Sequence, residues 1–332
     1  MKLNLTSDEL QLRKPILTAH GEIKKREILV VTATQDNVSG SGEIAPLPGF
    51  GLESLKDASE SLHTWIEDGP FPSSTGAAGA ASCALTQLKA ALKGVSLDIF
   101  LSSRVLSNRD LSVQSLIGAE SISDVENMAQ VAIANGHKAI KLKVGALSET
   151  SDIARITAAR NTIPDHIHLR LDVNQGWNFS SAQRVLKAIS HLNIDYVEEP
   201  TNNLSDYKQL RSVSGIKLAA DEHLSEINTA HDVIRSGLVQ VAVIKPTVLG
   251  GPQAAYDLSR NAQDLNVRCV VSSFIDGPVG LRAARDLALA IAPDETHGVG
   301  TGALFSDPIP SDVLPNHGFL RSGVRRMFPY LP

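Results

Sequence analysis

From about Leu111 onward one unit recurs: a short run rich in β-branched residues, a helical pattern, and then another such run. The runs fall at residues 112–117, 139–144, 168–173, 195–197, 216–219, 239–244 and 267–271, with a weak eighth near 297–300. Their spacing of roughly 21 to 30 residues is the length of one βα unit in a parallel barrel. Doubly wound sheets use the same unit. No GxGxxG or GxxxxGKS/T phosphate loop follows any run, however, which disfavours a nucleotide-binding sheet. The pattern predicts a barrel.

The first hundred residues follow another pattern. Short β-like runs at 16–18 and 28–32 flank a polar turn at Gly21, a Gly/Pro-rich loop is expected over 39–51, and helical patterns follow at 53–67 and 79–92. This reads as a small α+β domain over residues 1–105, ahead of a barrel over 106–306. The Pro-rich tail, 307–332, is expected to wrap back and complete the small domain. A chain of 332 residues has room for both units.

Composition limits the partners. Aromatic residues make up 4% of the chain, too few for base-stacking platforms. Net charge is -5 and the short Lys24-Lys25-Arg26 run reads as a solvated turn, so neither nucleic acid nor an anionic membrane is an expected partner. No apolar leader opens the chain, and no stretch approaches the roughly 18 apolar residues that span a bilayer. Cys83 and Cys269 lack metal-site spacing and read as reduced core thiols of a cytoplasmic protein. A homo-oligomer is compatible with the sequence.

Five successive strand ends carry ionisable groups: Lys141-Leu142-Lys143, Asp172-Val173-Asn174, Glu198-Glu199-Pro200, Asp221-Glu222 and Lys245-Pro246. Barrel active sites are assembled at that C-terminal face. Alternate side chains on a strand share a face, so Lys141 and Lys143 point into the barrel mouth while Ile140, Leu142 and Val144 point toward the helices. An unpaired ammonium there would be costly, and three acids stand ready to face three lysines. The carboxylates are hard oxygen ligands suited to Mg²⁺, with Mn²⁺ as a substitute. No Cys joins them and His223 is the only His nearby, which disfavours zinc or copper. Lysines on either side can take and return protons. Lys141 beside Lys143 predicts a lowered pKa for the pair and an accessible neutral amine.

The order K-x-K, D-x-N, E-x-P, D-E, K on consecutive strands resembles the muconate-lactonizing subgroup of the enolase superfamily. The resemblance implies a (β/α)₇β TIM-like barrel with an N-terminal α+β capping domain. It also implies Asp172, Glu198 and Asp221 as metal ligands, Lys143 as the base, and Lys245 on the opposite face. The stretch from Gly42 to Phe50, together with Lys245 to Gly251 and Ser272-Ser273, is similar to o-succinylbenzoate synthases. That family implies a hydro-lyase of menaquinone or phylloquinone synthesis. Its reaction is syn dehydration of 2-succinyl-6-hydroxy-2,4-cyclohexadiene-1-carboxylate, a small carboxylate, through an enediolate. Lys143 would remove the α proton and then protonate the departing hydroxyl, with Lys141 tuning it. Asn174, Ser272, Ser273, Pro48 and Phe50 are the implied substrate contacts. Asp276 departs from the pattern by placing an acid where an anionic substrate approaches.

Two other functions fit parts of the sequence. An N-acylamino acid racemase, dipeptide epimerase or muconate cycloisomerase would use the same opposed lysines. Residues 297–301 lack the D-x-D that would grip a dipeptide ammonium. A non-catalytic binding barrel would leave so many buried charges without a task, at considerable cost.

Overall fold

Mixed polar and apolar residues over the first 35 positions form a long antiparallel hairpin. In this computed structural model, which describes residues 1–18, 21–47, 52–107, 110–118 and 120–321, strand β1 (Lys2–Thr18) pairs with β2 (Gly21–Gln35). Leu29, Val31 and Ala33 of β2 meet Leu62, Ala80, Ala84 and Leu88 of the helices Leu55–Ile66 and Thr75–Leu92 in the cap's own core. Burying each of the large aliphatic side chains contributes about 1.5–3 kcal/mol.

Two expectations are corrected in this region. The first part of the predicted Gly/Pro-rich loop is a third strand, β3 (Val38–Ile44), paired antiparallel with β2. The physical reason is close approach. A Cβ at Gly40 would lie 2.2 Å from the backbone nitrogen of Leu88, and one at Gly42 would lie 1.9 Å from the carbonyl oxygen of Ala80. Glycine lets the helix rest directly on the strand. The Lys24-Lys25-Arg26 run is also strand rather than turn. Lys24 and Lys25 pair with Glu22 and Glu9 at the surface, whereas Arg26 is 2% exposed.

The barrel follows. β4 (Leu111–Ser112) pairs with β12 (Phe319–Leu320) near the chain end. Seven parallel strands then run in chain order: β5 (Ser115–Ile117), β6 (Ala139–Lys143), β7 (His168–Asp172), β8 (Ile194–Glu198), β9 (Leu218–Ala220), β10 (Val241–Ile244) and β11 (Arg268–Val271). The weak eighth run forms single bridges, His297 to Val113 and Gly298 to Ser272, which join the two edges of the sheet and close the ring. Helices alternate with the strands, and Ser121, Ser148 and Asn178 start three of them by accepting the N–H three residues on.

Strand alternation sorts the side chains as predicted. Ile140, Leu142, Leu169, Leu171 and Val197 pack outward against the helices, while Tyr196, Ala219, Val241, Val243 and Val270 fill the interior. The fold is the (β/α)₇β barrel with its α+β cap.

The tail touches both units. Asp307 accepts the backbone N–H of Gln11 in β1, and Asp312 pairs with Arg282 and Arg285 on the helix Pro278–Ile291. No helix among the described residues is long and apolar enough to cross a membrane. Cys83 and Cys269 are free and buried, and burial pushes each thiol up to about 12.

Candidate active site

The C-terminal ends of β6 to β10 bring the predicted charges together. Lys141 is buried and donates to Glu198 Oε1 at 2.9 Å, while its Nζ also lies 2.8 Å from Asp172 Oδ2. Lys143 donates to the same Asp172 oxygen at 2.7 Å and to Asn174 Oδ1 at 2.6 Å. Across the mouth, Lys245 donates to Asp221 Oδ2 at 2.7 Å. Three acids do face three lysines. β6 and β10 stand four positions apart in a ring of eight, so Lys143 and Lys245 enter from opposite sides. Lys143 is the most open of the three, its side chain 39% exposed against 9% for Lys141 and 17% for Lys245.

The electrostatics correct one expectation. Burial pulls the Lys141 pKa down, but the carboxylates of Asp172 and Glu198 outweigh it and hold Lys141 well above 10.5. The lowered pKa expected for Lys141 from its neighbour Lys143 is therefore absent: its Nζ sits within 3 Å of two carboxylates, Asp172 at 2.8 Å and Glu198 at 2.9 Å. Burial likewise lowers the pKa of Lys245, and Asp221 and Glu222 more than restore it. The acids on Lys141 diverge. Burial raises the pKa of both, but Asp172 touches two ammoniums and is held well below the usual carboxylate range, whereas Glu198 shares one and is raised.

Among the described residues no three His, Cys, Asp or Glu side chains converge into a ready cation cage. Each predicted metal ligand is turned onto a lysine instead. The donor set still fits a hard divalent cation. Three carboxylates sit at the ends of adjacent strands, and Asp172 Oδ1 is buried with no hydrogen-bond partner. Such an atom inside a barrel is otherwise costly.

The other predicted contacts are committed to protein partners. Asn174, at φ +47° where Asn is tolerated better than most residues, donates to Glu222 Oε1 at 2.7 Å while accepting from Lys143. Ser272 Oγ lies 3.3 Å from the Gly298 carbonyl, and Ser273 Oγ lies 2.7 Å from Thr301 Oγ1. Pro48 and Phe50 lie outside the described residues. Asp276 is fully buried and accepts the Phe274 N–H at 2.9 Å and the Thr247 hydroxyl at 3.5 Å, with the Arg26 guanidinium and the Lys245 ammonium both opposing the rise that burial imposes on its pKa.

Sequence reasoning missed Glu199, although the doubled Glu198-Glu199 was its visible signal. Glu198 points into the barrel, and Glu199, at φ +46°, turns toward the next strand end. Its Oε1 accepts the backbone N–H groups of Asp221 at 2.7 Å and His223 at 3.0 Å, and its Oε2 is 2.6 Å from His223 Nδ1. Glu199 therefore fixes the backbone that carries Asp221. Glu222 was read only as part of an acidic pair. It is pushed up to about 7 by burial and then by Asp221, and its Oε2 has no partner.

Known proteins give matches in both units. Residues 124–322 match the family described as enolase C-terminal domain-like, and residues 4–77 match the MenC N-terminal domain. The o-succinylbenzoate synthase of Klebsiella pneumoniae (strain 342) is 30% identical over 88% of this chain and 89% of its own. That of Pasteurella multocida (strain Pm70) is 29% identical over 95% of this chain and 94% of its own. Among solved structures, the L-Ala-D/L-Glu epimerase of Bacillus subtilis aligns with TM-score 0.82 at 22% identity, covering 98% of this chain and all of that one. The muconate lactonizing enzyme of Pseudomonas fluorescens aligns at 0.83 and 20%, covering 92% and 89%. At such identities these structures bear on the fold.

Proposed function

We propose that the chain, which belongs to the o-succinylbenzoate synthase family of the enolase superfamily, is a lyase that dehydrates 2-succinyl-6-hydroxy-2,4-cyclohexadiene-1-carboxylate to o-succinylbenzoate, a precursor in menaquinone or phylloquinone synthesis. The observation that carries the chemistry is the pair of lysines entering the barrel mouth from opposite sides with three carboxylates between them.

The residues divide the work. Lys143 Nζ, the exposed member, takes the proton α to the ring carboxylate. The electron pair moves into the carboxylate as an enediolate. Lys143, now an ammonium, returns the proton to the hydroxyl on the same face, which leaves as water and completes the aromatic ring. Asn174 holds the Lys143 amine toward the mouth through its Oδ1 and is itself held by Glu222. Lys245 stays an ammonium and faces the developing charge from across the ring. Lys141, locked between Asp172 and Glu198, is a fixed positive charge beside the base. Asp172, Glu198 and Asp221 would hold a divalent cation, Mg²⁺ with Mn²⁺ as substitute, which would supply positive charge for the substrate carboxylate. Glu199 keeps Asp221 in place. The two reduced, buried thiols suit a cytoplasmic enzyme.

Purified protein is mixed with the cyclohexadiene substrate with Mg²⁺ and after chelation, and loss of diene absorbance is followed. Metal-dependent conversion to the aromatic product is expected. No conversion by folded, metal-loaded protein, beside turnover of N-succinylamino acids, would replace dehydration by racemisation.

A further inference from the structure

A second set of buried charges, contributed by the cap, surrounds the turn that follows β11. Arg26 of β2 reaches across the seam between cap and barrel. Its Nη1 donates to the Pro46 carbonyl at 2.7 Å and its Nη2 to that of Ala45, both at the base of the cap loop. The same guanidinium donates from Nε to Ile275 O at 3.0 Å and from Nη2 to Phe274 O at 3.3 Å. Glu43 of β3 completes the clasp from the other side. Its carboxylate accepts the N–H groups of Gly277 at 2.5 Å, Val279 at 3.1 Å and Gly280 at 3.0 Å, capping the barrel helix Pro278–Ile291. Asp276 takes the remaining Phe274 N–H.

The clasped turn is strained and sits at the site. Ile275 has φ +55°, a conformation that a β-branched residue adopts only when its surroundings impose it. Phe274 places its ring 5.4 Å from Lys245 Nζ, and Ser272 and Ser273 lie immediately before it. Two buried charged side chains from one domain thus set the backbone on which the other domain presents its seventh-strand groups.

We infer that Arg26 and Glu43 are positioning residues. They lock the Ala45–Pro46 segment of the cap and the Ser273–Gly277 turn into one unit, so that the seam sets the seventh-strand end of the site and leaves the metal end alone. The kinetic consequence rests on the dehydration reading; the structural consequence does not. The full chain is compared with Arg26→Met, Arg26→Lys and Glu43→Gln for kcat, KM, Mg²⁺ affinity and amide hydrogen exchange over residues 273–280. Arg26→Met should raise KM about tenfold or more through loss of charged hydrogen bonds and misplacement of the turn. Exchange in that segment should rise while Mg²⁺ affinity holds. Arg26→Lys, keeping the charge but not the fork, should fall between it and wild type. If Arg26→Met does not fold, Glu43→Gln carries the test, since it keeps the shape and one acceptor oxygen. Unchanged KM overturns the inference, whether or not exchange rises, and so does a loss of Mg²⁺ affinity matching the rise in KM. A wild-type protein that fails to dehydrate the substrate would sink the function, while unaltered exchange in the variants would sink the clasp.

Discussion

The barrel holds two layers of buried charge, one above the other on the same strands, and they are built differently. At the mouth, lysines meet Asp172, Glu198 and Asp221. Two residues back along β7 and β8, Arg170 and Tyr196 belong to the floor. There Arg170 is fully buried, donating to Asp195 at 3.0 Å, Glu295 at 2.8 Å and the Thr296 carbonyl at 2.7 Å. Arg268 adds a second guanidinium on Asp195 at 2.9 Å, and the Tyr196 ring lies 5.1 Å from the Arg170 guanidinium and 5.3 Å from that of Arg268. Burial raises the pKa of both floor acids, yet the guanidiniums win and hold each below the usual carboxylate range. Arginine does not give up its proton, so the floor is a fixed scaffold. The mouth uses lysine, which can, and its unpartnered buried atoms are carboxylate oxygens of Asp172 and Glu222, whereas those of the floor are Tyr196 Oη and Arg268 Nε. Similar charges in the same barrel thus serve rigidity in one layer and chemistry in the next.

Substitutions can break that contrast. Lys143→Ala has the largest expected effect, a loss of about 10²–10⁴-fold in kcat for a missing general base, with the fold intact. A near-normal rate by the diene assay would remove Lys143 from the reaction. Arg170→Met should do the reverse, costing about 3–5 kcal/mol in urea unfolding by leaving buried acids unpaired. The kcat of the protein that remains folded should stay close to wild type.

His297 sharpens the contrast by pH. Its Nδ1 accepts the Val271 N–H at 2.9 Å and its Nε2 donates to the Ala292 carbonyl at 2.9 Å, so the ring is buried neutral. Burial lowers its pKa from 6.5 to about 4. Above pH 6.5 the imidazole is neutral both folded and unfolded. As pH falls, the unfolded chain takes the proton first. Stability is therefore expected to drop by about 3 kcal/mol between pH 6.5 and pH 4, and His297→Gln should flatten that stretch of the curve. The smallest effect belongs to Asp221→Asn, expected to weaken Mg²⁺ binding in calorimetry by removing one charge from the ligand set, while its amide oxygen can still accept from Lys245.

The mouth was legible in the sequence because strand alternation and chain order act locally. K-x-K, D-x-N and E-E-P each fix a side chain's face within a few residues, and the recurring βα unit fixes which ends gather. What depends on packing between distant segments was not legible. Arg26 looked like part of a solvated basic turn, and only the seam with residues 274–275 makes it buried. The strand Val38–Ile44 was hidden by its glycines, whose reason lies in the helix Thr75–Leu92. That Asp276 is buried beside Arg26 and Glu43 was not visible either, because both of those charges come from the cap. The lowered Lys141 pKa failed for a related reason: like charges on one strand were visible, whereas the opposite charges came from two others.

The most direct test of the contrast is calorimetric titration of Mg²⁺ into the wild type, Asp221→Asn and Lys143→Ala. Saturable binding to the wild type is expected, weakened in Asp221→Asn and retained in Lys143→Ala. A folded wild type that takes up no divalent cation would make the mouth, like the floor, a set of structural ion pairs.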